Sequence, residues 1–372
     1  MPLDRRQFVT ASAAAAGLAA LPAFFNISVA PAQQRLKILM LGGTGFLGPH
    51  TVQYALDRGH EVTLFNRGRT NADLFPDLEK IVGNRDPEID EGLSGISGRH
   101  WDAVIDTSGF VPRIVGASAR LLADQAEQYL FVSTICQYQD WLEGDMYRTE
   151  DWPRGTLEDP TTEDVQTHYC YLKAYCEIAA EQAMPGRVTQ IRPGLIVGPR
   201  DNTDRFTYWP MRADRGGAMI APGKPADLTQ YIDVRDLARF MVHALEQKLT
   251  DSYNLVRQPF PWGDFLNTCV SVADNDTELV WIPGDFLLKH ELESWQQLQM
   301  WADSETPVAG SFTWSATKAM EAGLTIRPVE DTIRDTVAWY KSLPADRQAE
   351  MRSGIPAAKE ATVLQAWYER NA

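Results

Sequence analysis

The feature that most constrains this chain is a glycine turn between an apolar run and a helical pattern. Leu36-Lys37-Ile38-Leu39-Met40-Leu41 reads as a buried strand, Gly42-Gly43-Thr44-Gly45-Phe46-Leu47-Gly48 follows, and a helical pattern runs from Pro49 to Arg58 and stops at Gly59. The spacing of Gly42, Gly45 and Gly48 has a physical meaning. The first permits the tight turn, and the second lets backbone approach a pyrophosphate. The third lets the helix pack closely on the strand with its N-terminus facing the phosphates. Alone the motif is weak. With a strand before it and a helix after it, it predicts a dinucleotide site, with Thr44, Phe46 and Leu47 completing the turn.

Further apolar runs follow at Glu61–Asn66, Lys80–Gly83, Asp102–Asp106, Gln128–Ser133 and Val188–Arg192, separated mostly by helical stretches such as 113–126 and 168–183. This alternation predicts βαβ units and an α/β, doubly wound parallel sheet of the Rossmann kind. The alternation fails after Gly198. Residues 199–230 are rich in Pro, Gly and Asp, a helix is expected at 234–247, and a strand at 252–256. The segment 257–372 reads as mostly helical, with its tryptophans largely in the core. The expected layout is a Rossmann domain from 35–198 plus 231–256 and a smaller, mostly helical substrate domain from 199–230 plus 257–372.

The first thirty residues read as a leader rather than as fold. Asp4-Arg5-Arg6-Gln7-Phe8 precedes a short alanine-rich stretch, and Ser28-Val29-Ala30 offers small residues for cleavage after Ala30 or Ala32. The paired arginines resemble the twin-arginine export signal, which implies export of a folded protein to the periplasm by that machinery. The apolar stretch is short and holds Pro22, and no apolar run of about 18 residues follows it, so no stable membrane anchor is expected. A net charge of −15 argues against nucleic-acid binding by phosphate neutralisation. The four cysteines contain no CxxC pair, and Cys170 and Cys176 face different sides of a helix, so no structural disulfide is expected. The six histidines are scattered, and no metal site is expected.

The end of the second strand should carry an acid to bind the ribose hydroxyls of NAD. Here it reads Asn66-Arg67-Gly68-Arg69. Arg67 and Arg69 are suited to a 2′-phosphate, which favours NADP with NAD second, unless they are ordinary solvated charges. Further along, Tyr169-Cys170-Tyr171-Leu172-Lys173 places a phenol and an ammonium four apart on one helix face. A nearby cation lowers a phenol's pKa and makes it a usable proton acceptor. Ser133 and Thr134 end the strand before that helix, where a hydroxyl can share a substrate oxygen with Tyr169.

These motifs together resemble the extended short-chain dehydrogenases/reductases, the NAD(P)-dependent epimerase/dehydratase group. The resemblance rests on Gly42–Gly48, Asp102–Asp106, Ser133–Tyr138, Tyr169–Lys173 with Glu177, Arg192-Pro193, Gly198-Pro199 and Tyr231–Ala238, with Thr317-Lys318-Ala319 and Gly323 to Pro328 near the end. Asn66-Arg67-Gly68 is similar to the atypical branch that includes the chloroplast stem-loop-binding proteins. The family's pattern implies Thr134 as the catalytic hydroxyl, Tyr169 as general acid/base and Lys173 as the residue that binds ribose and tunes Tyr169. It also implies Asp86, Thr107, Pro193 and Ile196 around the cofactor. Cys136 stands where one epimerase type carries an acid/base cysteine, or is a small buried thiol. Arg205, Tyr208, Trp209 and Arg212 follow Gly198-Pro199, where the family's substrate loop begins, or belong to a packed helix. The expectation is an exported NAD(P)-dependent epimerase or oxidoreductase acting on a secondary alcohol of a sugar-like substrate, with a homodimer as one assembly left open. The alternatives are a simple carbonyl reductase and a non-catalytic, RNA-associated dinucleotide-binding protein.

Overall fold

The computed structural model describes residues 34–372. The leader read at residues 1–30 lies outside the described residues. Six strands, β1 (Lys37–Leu41), β2 (Glu61–Asn66), β3 (Lys80–Val82), β4 (Trp101–Asp106), β5 (Ala126–Val132) and β6 (Val188–Pro193), join Ser252–Leu255 in one sheet. From one edge the order is Ser252–Leu255, β6, β5, β4, β1, β2, β3, and every neighbouring pair is parallel.

The strands are apolar on both sides because helices cover both faces. Ile38 and Met40 point into one core, shared with Val52 and Ala55 of α1 (Leu47–Asp57). Leu39 and Leu41 point into another, shared with Val115 and Leu122 of α2 (Pro112–Leu122) and Cys176 and Ala180 of α3 (Val165–Ala183). The order reverses between β1 and β4, where Leu41 lies opposite Asp106. Chains leaving those two strands diverge, and a cleft opens at their C-terminal ends.

A second core gathers Phe206, Trp209, Trp262, Phe265, Leu298 and Trp301. It takes in α4 (Tyr208–Asp214), while α5 (Val234–Glu246) packs on the sheet. The reading of 257–372 as mostly helical needs correction. Glu278–Ile282 is a strand, paired in parallel with Ala218–Pro222, and its Leu279-Val280-Trp281 centre has the branched and aromatic composition of one. Residues 290–316 are turns and bends, apart from a 3₁₀ segment at Pro307–Phe312. Ala319 and Leu324 pack into the sheet's core, so this part of the C-terminal region serves the first layer and not the second.

Candidate active site

The glycine turn has the geometry its spacing implies. Gly42 and Gly43 have φ of +108° and +90°, a region open to glycine. A Cβ on Gly48 would stand 2.4 Å from the carbonyl carbon of Gly43, so the helix start and the turn touch directly. A Cβ on Gly45 would meet nothing within 4 Å, because that residue faces the cleft. Two amides brace the turn: Asn66 Nδ2 donates to the Gly42 carbonyl at 3.0 Å and Asn71 Nδ2 to the Thr44 carbonyl at 2.8 Å. α1 begins with no side-chain cap and no acid in its first turn, which leaves its first N–H groups free for an anion.

The cleft beside this turn encloses about 470 Å³. Its walls include Gly42, Thr44, Gly45, Asn66, Arg67, Arg69, Asp86 and Thr107, all expected cofactor positions. Phe46, Leu47 and Gly48 form the start of α1 beneath it, while Lys173, Pro193 and Ile196 lie outside its lining. Asn66 is engaged at both ends, its Oδ1 accepting from the Gly68 N–H at 2.8 Å. Asp86 receives two hydrogen bonds from Arg113, at 2.9 and 2.8 Å, and these pull its carboxyl down to about 2.

Arg85 is a wall residue that sequence reasoning missed. It donates to both oxygens of Asp106, at 2.7 and 2.8 Å, and to Ser108 and Ser118. Asp106 is fully buried and also accepts from Tyr129 OH at 2.7 Å. Burial alone would raise the Asp106 carboxyl, but the guanidinium beside it holds it below its ordinary range. The pair stiffens the end of β4 where the cleft opens. Its only sequence signal was a cation directly after the β3 run.

The residues expected to transfer the proton sit beside this cleft. Tyr169 is 38% exposed, and its ring lies 6.1 Å from that of Phe110, which also lines the glycine cleft. Desolvation raises the Tyr169 phenol, and Arg205 opposes the rise. Lys173 follows Tyr169 by one helical turn, and its ammonium lies 5.2 Å from the centroid of the same Phe110 ring. His168 is non-helical (φ −116°, ψ 18°), so α3 kinks just before Tyr169. The Lys173 ammonium turns inward and donates to the carbonyls of Gly109 and Val132, both at 2.6 Å. Burial pushes it down to about 8. Ser133 is buried, whereas Thr134 is half-buried and caps the 3₁₀ turn Ile135–Gln137, its Oγ1 accepting from the Cys136 N–H at 3.3 Å.

Two expectations about cysteine are overturned. Cys136 and Cys170, 34 positions apart in sequence, form a disulfide with Cα atoms 5.1 Å apart. A bonded sulfur carries no thiol proton, so Cys136 is no acid/base in this state. Helix geometry keeps Cys170 from Cys176, and folding brings Cys136 to it instead.

The substrate-side residues divide. Arg205 joins Tyr169, Thr203, Gln299 and Arg352 around a second cleft of about 660 Å³. Its Nε donates to Thr203 Oγ1 at 3.0 Å, and it forms no ion pair among the described residues. Tyr208, Trp209 and Arg212 are packing residues and not substrate contacts. Trp209 is fully buried and donates to the Gln299 carbonyl at 2.9 Å. Arg212 is buried in an ion pair with Glu360 at 2.6 Å. Desolvated inside the second core, they cannot reach a ligand.

Comparison with known proteins agrees with this geometry. Residues 38–255 match the NAD dependent epimerase/dehydratase family. Epimerase family protein SDR39U1 of Bos taurus is 26% identical over 57% of this chain and 70% of its own. The chloroplast stem-loop binding protein of 41 kDa b of Arabidopsis thaliana is 26% identical over 63% of this chain and 62% of its own. Among solved structures, the Thermus thermophilus UDP-glucose 4-epimerase complex with NAD superimposes with a TM-score of 0.56 at 18% identity, covering 83% of this chain and 100% of that one. The Bordetella bronchiseptica enzyme WbmG, in complex with NAD and UDP, gives 0.61 at 15% identity over 88% and 100%. At such identities the structural likeness speaks for the fold. The family match covers more than half the chain, and it falls on the sheet and turn described above. The chain therefore belongs to the NAD dependent epimerase/dehydratase family and is an enzyme of the epimerase or oxidoreductase kind.

Proposed function

We propose that this protein is an exported, NADP-dependent enzyme that epimerises a secondary alcohol on an anionic, sugar-like substrate. The observation that carries the reading is Phe110. Its ring lines the dinucleotide cleft and lies against Tyr169, so the cofactor's path ends at the phenol. The residues fit a dinucleotide: an open Gly45, an uncapped helix start and a cleft with cationic walls. A bound nicotinamide dinucleotide supplies hydride acceptance and return.

The chain's own residues do the rest. Tyr169 takes the proton of the substrate hydroxyl and gives it back. Thr134 donates a hydrogen bond to the same oxygen. Arg205, unpaired beside Tyr169, favours the phenolate and offers a charge-assisted contact to a phosphate or carboxylate. NADP is favoured over NAD by this chain's own residues, although the solved relatives named above hold NAD. The end of β2 has no acid, Asn66 is occupied by the turn, and Arg67 and Arg69 are exposed on the cleft wall. The Arg5-Arg6 leader supports export, and free dinucleotide is scarce outside the cytoplasm. A redox-neutral reaction on a retained cofactor suits that setting, and epimerisation is one.

The test is purification from the exported fraction, N-terminal sequencing, and chromatography of acid-released nucleotide. A chain starting near residue 31 with NADP bound is expected. A chain that keeps its first thirty residues, or NADP that neither co-purifies nor stabilises the protein, overturns the reading. With UDP-glucose as the probe sugar nucleotide, Tyr169→Phe should lose turnover by about 100-fold or more while binding NADP normally. Full turnover in that variant removes Tyr169 from the mechanism.

A further inference from the structure

We propose that the Cys136–Cys170 disulfide is a positioning element of the active site, holding Thr134 and Tyr169 in register so that full turnover needs the bond closed. The inference rests on the reading of Thr134 and Tyr169 as the proton-transfer pair. Cys136 lies two residues after Thr134, and Cys170 directly follows Tyr169. Both links are tight. The Thr134 hydroxyl accepts from the Cys136 backbone N–H, and Cys136 Sγ is 3.5 Å from the same hydroxyl.

Packing does not do this work on the α3 side. From Leu172 onward the helix is anchored by Leu172, Ala174, Cys176, Glu177 and Ala180 in the core. Before that anchor, Gln166, Thr167 and Tyr169 are exposed, Val165 and His168 only half-buried, and the kink at His168 breaks the rod. Tyr169 thus sits one turn before the buried Leu172 and Lys173, at an exposed helix start where the ring contact to Phe110 and the covalent bond at the next residue act on it directly. The stretch between the cysteines, from Tyr138 to Asp164, is almost entirely turns and loop; the bonds from Lys173 to the Val132 and Gly109 carbonyls tie α3 to the end of β5, and the disulfide adds the tie next to Tyr169 itself.

The chemistry is selective. Cys176 and Cys269 are buried thiols, with burial pushing Cys176 up to about 12 and Cys269 well above its ordinary value. Neither is a competent thiolate. Cys170 is half-buried and Cys136 is 7% exposed, so an external disulfide donor meets Cys170 first. Closure proceeds by thiolate attack of Cys170 on the donor disulfide, releasing one donor thiol. Cys136 thiolate then attacks the Cys170 sulfur of the mixed disulfide and releases the second. Two electrons pass from the cysteines to the donor, and the two protons end on the donor thiols. With a leader at residues 1–30, the bond stays open in a thiol-rich compartment and closes after export.

The test uses the full mature chain, oxidised with glutathione disulfide or reduced with dithiothreitol, and Cys269→Ala as a control. Peptide mass mapping should find a 136–170 link in the oxidised protein and two free thiols, Cys176 and Cys269. Reduction should raise amide hydrogen exchange over residues 165–171 and leave the glycine turn at 42–48 unchanged. With NADP and UDP-glucose, kcat should fall about tenfold to a hundredfold at unchanged KM for NADP, and glutathione disulfide should restore it. Cys136→Ser/Cys170→Ser should sit at the reduced level and respond to neither reagent, while Cys269→Ala responds like wild type. Four free thiols in the oxidised protein, or exchange over 165–171 that ignores reduction, overturns the proposal. The exchange readout does not depend on the substrate. If Tyr169→Phe stays active while the link and the exchange change are present, the catalytic reading has failed and the restraint itself stands.

Discussion

Gly45 and Gly48 allow the dinucleotide reading to be separated from simple fold effects, because alanine at the two positions should act with opposite signs. At Gly48 the new Cβ would lie 2.4, 2.6 and 2.6 Å from the carbonyl carbon, Cα and oxygen of Gly43. These are backbone atoms in a turn already at positive φ, so they cannot swing aside. Overpacking of this kind costs about 1–3 kcal/mol. Alanine's better helix propensity returns at most about 1 kcal/mol. Gly48→Ala should therefore destabilise the ligand-free protein by about 1–2 kcal/mol. At Gly45 the φ lies outside the left-handed region and nothing stands within 4 Å. Gly45→Ala should leave the ligand-free protein unchanged or stabilise it by about 0.4–1 kcal/mol through the unfolded state. Its methyl group, however, occupies the space a pyrophosphate needs. A ligand at 100 times its Kd stabilises the native state by about 2.7 kcal/mol, and Gly45→Ala should lose most of that increment. Urea unfolding with and without NADP measures both effects. If Gly45→Ala keeps the full NADP increment, the pyrophosphate does not lie on this turn and the assignment of the cleft fails.

Arg67→Ala should weaken NADP by about 1–3 kcal/mol and NAD by much less, since only a 2′-phosphate loses its charge-assisted partner; equal weakening in calorimetric titrations refutes the NADP preference. Arg85→Met should destabilise the protein by about 3–5 kcal/mol, because it leaves the Asp106 carboxylate buried without its cation; an unfolding midpoint near wild type would show that Tyr129 and Ser108 suffice. Lys173 gives a pH signature. Its folded-state pKa is lowered to about 8 from 10.5, so between those values the unfolded chain binds more protons and stability rises with pH, by at most about 1.4 kcal/mol per unit. Below pH 8 both states hold the proton and the burial penalty is constant. The unfolding free energy of wild type minus that of Lys173→Met should be flat from pH 6 to 7.5 and climb from pH 8 to 10, and a flat difference throughout refutes a buried ammonium.

The sheet was legible because its signals are local. β1 is a run of apolar residues with a turn attached, β2 repeats the pattern, and the strand boundaries fall within a residue or two of the apolar runs. The glycine turn was legible for the same reason, since its three positions act on atoms a few residues away. What sequence could not show is pairing across the fold. Arg212 meets Glu360 across 148 positions, which turns a candidate ligand contact into a buried ion pair. Cys170 finds Cys136 and not the nearby Cys176, because the 3₁₀ turn after β5 lies against the start of α3. Lys173 shows a subtler failure. Tyr169 and Lys173 both follow the kink at His168 and lie one turn apart as the spacing implies, but the carbonyls that take the ammonium, Gly109 and Val132, lie 64 and 41 positions away in sequence.

Charge unites these local facts. The chain carries −15 overall, yet the walls of its clefts are cationic: Arg67 and Arg69 around the glycine turn, and Arg205 and Arg352 around Tyr169. The carboxylates in the dinucleotide cleft are already spent on other cations, Asp106 on Arg85 and Asp86 on Arg113. A cleft of one sign within a low-dielectric body focuses its field outward and draws small anions in, while a surface of the opposite sign turns extended polyanions away. That combination suits a dinucleotide and a compact anionic substrate better than a nucleic acid. The proposed role of Tyr169 draws on a cation as well. Arg205 supplies the cation from the substrate side, so the phenol is tuned by the same residue that meets the ligand's charge. An anion bound at Arg205 would then weaken its hold on the phenolate and raise the phenol's pKa, making the phenolate a stronger base toward the substrate hydroxyl and the phenol a weaker proton donor.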